Sequence, residues 1–192
     1  MLLVSTSRSG YHHGDLAHAL EAAAMQLLVD KPAQDISLRE VARAADVSHN
    51  APYHHFSDRR GLLKVLAERS MADLVAAVRT AIADGDDPRD ALAAGGQAYL
   101  RFAVEHPHGF DVIYDPTVCI PGEPSETMAP LIAELEELLA AASVAAGLEH
   151  PTDVTAIWGL VHGLGTLCAA GHFRLDDALA ACTAALTRML PA

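Results

Sequence analysis

The chain has 192 residues, enough for one sizeable hydrophobic core or two small domains. Hydrophobic residues make up 51% of it and aromatic residues only 5%, with many Ala and Leu, so the composition favours helices over strands. The formal net charge of −12 argues, taken alone, against a nucleic-acid partner.

The charge is unevenly distributed along the chain. Residues 1–70 contain eight Lys/Arg and eight Asp/Glu, whereas residues 71–192 contain five Lys/Arg and seventeen Asp/Glu. Six of the eleven histidines also lie in the first segment. This asymmetry predicts two parts with different partners. The three cysteines have no close spacing, which indicates reduced thiols in a cytoplasmic protein, and MLLVSTSRSG lacks the pattern of a signal peptide.

Hydrophobic spacing predicts helices along the whole chain and no strand. The first half contains predicted helices at residues 13–31, 37–45, 49–56 and 57–85. The second half contains predicted helices at residues 88–106, 110–114, 128–146, 152–170 and 176–190. The segment 106–126 is otherwise predicted to be loop, because it holds four prolines and two glycines. The predicted fold is therefore all-α, with about nine helices.

Residues 37–56, SLREVARAADVSHNAPYHHF, have the form of two short helices joined by a tight turn. Ser37 and Glu40 form an S-x-x-E capping box at the start of the first helix. We expect Ser48 to cap the second helix, which places Pro52 in its first turn, where a missing N–H costs least. Two short helices at a sharp angle are a helix-turn-helix, although many helical proteins contain this shape without binding DNA.

A helix-turn-helix that binds DNA lays its second helix in the major groove. The side chains that could then reach base edges or phosphates are His49, Asn50, Tyr53 and His54. Phe56 is instead a candidate for the hydrophobic core. The N-terminal end of the helix, with its positive dipole, would point towards phosphates.

The stretch ISLREVARAADVSHNAPYHHFSDRRGLL resembles the DNA-binding domain of the tetracycline-repressor (TetR) family. Tyr53, His55 and Phe56 match the Tyr-x-His-Phe signature of that family, and YHHGDL at residues 11–16 fits the start of its first helix. The resemblance covers about residues 11–66 and implies a helix-turn-helix three-helix domain that binds double-stranded operator DNA. The DNA-binding residues it implies, together with those above, are Ser37, Ser48, His49, Asn50, Ala51, Pro52, Tyr53, His54, His55, Arg59, Arg60, Lys64 and the His12-His13 region.

Two positions depart from the family pattern. Arg59 stands where lysine is usual, and because Arg60 follows it, contact with phosphate is still expected. Asn50 replaces a common glycine, and its amide has the geometry for a bidentate contact with adenine. Asn50 is alternatively a simple helix-start residue.

The segment AIWGLVHGLGTL is similar to the W-x-x-x-H-G pattern of one class of TetR C-terminal domain, at Trp158, His162 and Gly163. This resemblance implies that residues 67–192 form a C-terminal effector-binding and dimerisation domain. It also implies a homodimer in which the last two helices form a four-helix bundle with their copies. Residues 154–171 contain no Asp, Glu, Lys or Arg, and we prefer a buried dimer interface to a membrane span for this segment.

TetR-type C-terminal domains hold a small-molecule cavity, and the resemblance implies one here for a small hydrophobic or aromatic effector. The candidate ligand-binding residues are Tyr99, Phe102, Phe110, Tyr114, Met128, Trp158, His162 and Thr166. The alternative is that the single Trp and the His of this apolar helix are ordinary core residues with partners inside the protein.

Other classes of protein are weaker interpretations. No HExxH, Cys/His spacing, G-x-S-x-G or phosphate loop is present, so we expect neither an enzyme nor a metal or other cofactor. A thiol-responsive regulator acting through Cys119 stays open, because this cysteine lies in a Pro/Gly-rich loop. So does a helical interaction module that does not bind DNA.

Overall fold

The computed structural model of the protein describes residues 13–191. Nine α-helices and one 3-10 turn make up the regular structure of these residues, with no strand among them, which confirms the predicted all-α class. The helices are α1 His13–Asp30, α2 Leu38–Ala44, α3 Ala51–His55, α4 Arg59–Ala83, α5 Pro88–Glu105, α6 Pro107–Ile113, α7 Met128–Ala145, α8 Pro151–Ala169 and α9 Leu175–Met189, and the 3-10 turn is Ala33–Asp35.

Helix α1 packs against both α2 and the first part of α4, and α3 packs against α2. The predicted capping box begins α2: the Ser37 hydroxyl accepts from the Glu40 N–H at 3.3 Å, and the Glu40 carboxylate accepts from the Ser37 N–H at 2.9 Å. Glu40 also accepts from the Lys31 ammonium at 2.7 Å. The hydrogen bonds from Lys31 and Ser37 lower the pKa of Glu40 to about 2, so this helix start stays charged and bonded down to strongly acidic pH.

The turn between α2 and α3 differs from the prediction. Ser48 does not cap α3, because the helix begins at Ala51 and Asn50 occupies the cap position without a side-chain hydrogen bond. The Ser48 carbonyl instead accepts from the Ala51 N–H at 3.0 Å, which forms a backbone turn ahead of the helix. Pro52 still lies in the first turn of α3, where it removes no helical hydrogen bond.

Helix α4 begins at Arg59, two residues after the predicted start at residue 57. Ser57 has φ 61°, a left-handed conformation that does not suit a helix cap. Asp58 takes that role, with its carboxylate accepting from the Gly61 N–H at 2.8 Å. A short reversal between Phe56 and Asp58 therefore separates α3 from the long α4.

Helix α4 is the longest helix of the described chain and packs against α1, α5, α6 and α7. The predicted domain boundary between residues 66 and 67 falls inside α4, at the buried Leu66 and Ala67. A movement of α4 would therefore displace residues that pack against it in both halves of the chain.

In the second half, α5 lies between α4, α8 and α9. A Cβ added to Gly96 would lie 3.2 Å from the Cys182 sulfur, so the missing side chain lets α5 approach α9 closely. Helix α6 begins three residues before its predicted start, because Pro107 occupies the first helical position instead of ending the region as loop. No helix within residues 13–191 combines the length and the apolarity needed to cross a bilayer.

Candidate DNA interface and ligand cavity

Five polar side chains are exposed on and just before α3. Ser48, His49 and Asn50 precede the helix, and Tyr53 and His54 lie on it, with Tyr53 48% exposed. We call these five residues the α3 surface. Hydroxyl, imidazole and amide groups on one short helix can hydrogen-bond to base edges or phosphates, and a helix of this size fits the major groove.

Two residues of the predicted DNA-binding set face the other way. Ala51 is nearly buried and Pro52 is among the most completely buried side chains of the described chain. Pro52 and the buried Phe56 are four residues apart, so they lie on the same face of α3. The assignment of Ala51 and Pro52 to DNA contact is therefore corrected: their side chains belong to the core that holds α3 in place.

His55 lies behind the α3 surface, in a contact between three helices. Its Nε2 is 3.0 Å from the Glu21 carboxylate on α1, which also accepts from the Arg69 guanidinium on α4. Burial tends to raise the pKa of Glu21, but the hydrogen bonds and charges of Arg69 and His55 outweigh it, and the pKa is lowered. A carboxylate held in its charged form joins α1, α3 and α4, so the predicted contact of His55 with DNA has an intramolecular competitor.

The other predicted phosphate contacts are also tied to the protein. The Ser37 hydroxyl is used by the capping box, and the Arg59 guanidinium donates to the Gln34 carbonyl. The Arg60 Nε donates to the Thr117 carbonyl at 3.0 Å, and the Lys64 ammonium lies 3.7 Å from the Glu68 carboxylate. Arg59, Arg60 and Lys64 remain exposed, so these contacts do not remove them from solvent. The His12-His13 region lies outside the residues whose side chains are described.

Two arginines on α2 were not predicted. Arg39 and Arg43 are exposed and lie four residues apart, hence on one face of α2. Arg43 is 76% exposed and its ion pair with Glu40 is loose, at 3.9 Å. The first helix of a helix-turn-helix crosses the DNA backbone. The i, i+4 spacing of the two arginines in LREVAR therefore could have predicted contacts with phosphates.

A cavity of about 800 Å³ lies between α4, the segment that follows α6, α7 and the first half of α8. This volume is within the range of small-molecule sites. Its wall is mostly apolar, and a few polar groups are set among the apolar ones, as in most ligand pockets. The apolar part includes Met71, Ile113, Val118, Ile120, Ile132, Leu135 and Leu139.

Only three of the eight predicted ligand-binding residues line this cavity: Tyr114, Met128 and Trp158. Tyr99, Phe110 and His162 lie behind the wall, Phe102 packs against His106 at 5.0 Å between ring centroids, and Thr166 is exposed with its hydroxyl bonded to the His162 carbonyl. The sequence did not predict the contributions of the rest of α7 or of residues 118–122. The three consecutive apolar residues Val118, Cys119 and Ile120, inside a loop rich in proline, could have indicated that this loop packs against the protein.

Five rings form a cluster that begins at the cavity wall, with Tyr114 and Trp158, and continues behind it, with Tyr99, Phe110 and His162; we call it the aromatic cluster. The Tyr114 and Tyr99 hydroxyls are 2.6 Å apart, and the Tyr99 hydroxyl is 3.0 Å from His162 Nδ1. Burial lowers the pKa of His162 and raises that of both tyrosines, so all three are neutral near pH 7. In the tautomer that carries its proton on Nε2, His162 Nδ1 accepts from the Tyr99 hydroxyl, which can then accept from Tyr114.

The segment that follows α6 is joined to α4 at two points outside the aromatic cluster. The Ser125 hydroxyl donates to the Glu68 carboxylate at 2.5 Å, and the Thr117 carbonyl accepts from Arg60. Glu68 and Ser125 both line the cavity. The segment after α6 therefore holds α4 close to where α4 leaves α3.

Cys119 also lies on the wall, half-buried. Burial raises the pKa of its thiol, and the negative charges of Asp115 and Glu68 raise it further. A thiol kept protonated is a poor nucleophile, so the thiol-responsive alternative is not favoured.

A helix-turn-helix joined through one long helix to a body with a ligand-sized cavity is the architecture of a DNA-binding regulator. Two family models match this chain: the TetR family of bacterial regulatory proteins at residues 20–66, and the tetracyclin repressor-like C-terminal domain at residues 92–190. The chain belongs to the TetR family and is a transcriptional regulator; this is a family of DNA-binding regulators, not of enzymes.

Individual relatives agree with this assignment. A solved structure from Rhodococcus sp. RHA1, of a protein with unknown function, is 31% identical, with a TM-score of 0.76, covering 95% of this chain and 99% of that one. The TetR-family regulator PfmR from Thermus thermophilus is 26% identical, with a TM-score of 0.60, covering 90% and 96%. The transcriptional activator FasR of Mycolicibacterium smegmatis is 30% identical over 93 residues, which span 48% of this chain and 42% of FasR.

Proposed function

We propose that the protein is a cytoplasmic, ligand-responsive repressor that binds a near-palindromic operator as a homodimer. Residues 11–66 would bind DNA, and residues 67–192 would bind the effector and form the dimer. The observation that carries the proposal is the position of α4: its first turn follows the α3 surface, and its next three turns, at Lys64, Glu68 and Met71, form a wall of the cavity.

The α3 surface would enter the major groove, with Asn50 and Tyr53 nearest the bases. Arg39, Arg43, Arg59 and Arg60 would lie towards the phosphates, which fix the register of a protein on DNA but carry no sequence information. Two copies of α3 about 34 Å apart would meet successive major grooves of a twofold-symmetric site.

The dimer would form through α8 and α9, as predicted from the sequence. Leu167 is exposed on α8, at 40%, and Phe173 is exposed between α8 and α9, at 48%. A Cβ placed on Gly159 or Gly163 meets no atom within 4 Å in this chain, so this side of α8 is open to a closely packed helix. Members of the family bind operator DNA as dimers, which supports this use of the surface.

A hydrophobic or aromatic effector in the cavity would act on DNA binding through α4. Its insertion would displace the segment that carries Thr117 and Ser125, and hence the Arg60 and Glu68 contacts that this segment makes with α4. A shift of α4 would then change the separation of the two α3 helices in the dimer. Repression is the direction we propose, although the relative FasR is named as an activator.

Binding to fragments of the protein's own promoter, measured by fluorescence anisotropy alongside the molar mass in solution, tests the proposal. We expect a dimer, with Asn50→Ala and Tyr53→Ala each weakening binding about 5-fold to 150-fold, the cost of a lost base contact. Arg101→Ala, an exposed position on α5, is the control and should bind normally. A monomer, or a dimer whose affinity ignores both α3 variants, overturns the proposal and favours an interaction module without DNA binding.

The direction of regulation requires a separate experiment, with a reporter driven by the same promoter. Deleting the regulator should raise expression if it represses. A fall in expression would place the protein with activators such as FasR.

A further inference from the structure

The charges on the cavity wall do not balance. Among the described wall residues one is basic, Lys64, and two are acidic, Glu68 and Glu136. Lys64 lies 3.7 Å from Glu68 and keeps 48% of its side chain exposed, whereas Glu68 keeps only 13%. Lys64 is therefore at the rim and already paired, and one carboxylate remains in excess.

Glu136 is the carboxylate in excess. It lies on α7, and no described hydrogen bond or ion pair involves it, unlike its neighbour Glu134, which accepts from Arg79. The Glu136 side chain is exposed, so it lies at the rim of the cavity, where a carboxylate without a described partner attracts a cation bound against the apolar wall.

The electrostatic potential around Cys119, on the cavity wall, is also negative. Asp115 and Glu68 both raise the pKa of the Cys119 thiol, beyond the effect of burial. Cys119 lies on the wall, so the negative potential extends to the surface that a ligand would touch. An anionic ligand would have to overcome this potential, and its one cationic partner would be a lysine already paired with Glu68.

Aromatic faces complete the arrangement. Tyr114 and Trp158 both line the cavity and both keep part of their surface exposed, at 37% and 46%. Indole and phenol rings attract organic cations through their negative faces, and most strongly where water is excluded. The rest of the wall is apolar and suits a hydrophobic body around the charge.

We infer that the cavity binds a lipophilic organic cation, with Glu68 and Glu136 facing its charge and with Tyr114 and Trp158 against its hydrophobic body. This inference rests on the proposed function, in that the cavity is the effector site, and it adds the sign of the effector's charge. Neutral hydrophobic molecules and long-chain carboxylates would be weak ligands.

Tetraphenylphosphonium and tetraphenylborate provide a direct test, because the two ions have nearly the same size and apolar surface but opposite charge. Trp158 is the only tryptophan of the chain, so its fluorescence reports on the cavity wall of the full-length, DNA-free protein. We expect the cation to bind at least about tenfold more tightly than the anion, a ratio that reflects the excess carboxylate.

Two variants locate the charge. Glu68→Gln and Glu136→Gln should each weaken binding of the cation several-fold and leave binding of the anion unchanged or improved. Glu137→Gln is the matched control, because this neighbouring exposed glutamate is not on the wall. Glu68→Gln also alters the contact with Ser125, so thermal unfolding is measured for each variant, and Glu136→Gln carries the test if Glu68→Gln is poorly folded.

Equal binding of the two ions, tighter binding of the anion, binding of neither, or equal sensitivity of all three variants overturns the inference. Because the titration needs no DNA, its outcome is separate from that of the proposed function. If the protein prefers the cation but binds no promoter fragment, the inferred cation site stands and the proposed function is rejected. If it binds the promoter but does not prefer the cation, the proposed function stands and the cation site is rejected.

Discussion

The N-terminal unit and the C-terminal half place their functional groups differently. In α3 the polar groups proposed to contact DNA are on the outside, and the residues that fix the helix, Pro52 and Phe56, are on the inside. In the C-terminal half, the buried Tyr99 hydroxyl bonds both His162 and the hydroxyl of Tyr114, which lines the cavity. Function and stability should therefore be separable by mutation in the first region and coupled in the second.

The largest effect should come from comparing the two faces of α3. Phe56→Ala removes a side chain that is 2% exposed and should lower the free energy of unfolding by about 3–5 kcal/mol, through lost burial and a residual cavity. Tyr53→Ala, on the exposed face, should change it by no more than about 0.5 kcal/mol. Urea unfolding of the DNA-free protein, followed by helical circular dichroism, measures both. Comparable losses would mean that the two faces are not distinct.

The coupling in the C-terminal half can be tested by removing a single oxygen. Tyr99→Phe leaves His162 Nδ1 and the Tyr114 hydroxyl without their shared partner in a buried site, and should cost about 1–3 kcal/mol of stability. The same variant should alter the Trp158 response to cavity ligands, because Tyr114 is on the wall. Tyr53→Phe makes the same change on an exposed tyrosine and is the control. A stable Tyr99→Phe protein with unchanged ligand binding would show that this hydrogen-bonded chain contributes nothing.

A smaller effect is expected at the start of α2, where Ser37→Ala removes half of the capping box and should cost about 1 kcal/mol. The folded-state pKa of Glu40 is depressed from 4.5 to about 2, so its contribution to stability is present above pH 4.5 and is lost as the pH falls towards 2. Without the hydrogen bonds of Ser37, the pKa of Glu40 should rise and the loss in acid should begin at higher pH. NMR titration of the Glu40 carboxyl measures this directly, and an unchanged pKa would assign the whole shift to Lys31.

The smallest effect concerns the backbone contacts proposed for α2. Arg43→Ala should weaken operator binding similarly for all sequences, and should reduce the slope of log affinity against log salt by about 0.9, the release of one counterion from DNA. Stability should hardly change, because Arg43 is largely exposed. If Arg43→Ala instead changed the preference for DNA sequence, Arg43 would be assigned to a contact with the bases and not with the phosphates.

Signals confined to a few neighbouring residues were predicted from the sequence correctly. The capping box of α2, the start of α5 at Pro88 and the helical spacing of α7, α8 and α9 each depend on contacts within one or two turns, and the structure has them within about two residues of the prediction. The helix-turn-helix followed from the same kind of signal. The cap of α3 was wrong because Asn50 and Ser48 are both ordinary cap residues, and only the backbone turn decides between them.

The sequence by itself determined the all-α fold and the TetR family, because helical periodicity and a motif at fixed offsets are properties of local segments. Tertiary packing decided which side of α3 faces solvent, which loop closes the cavity and which groups pair. Glu21 meets His55 across 34 positions and Tyr99 meets His162 across 63. Such neighbours depend on how separate helices pack against one another, and no local pattern carries that information.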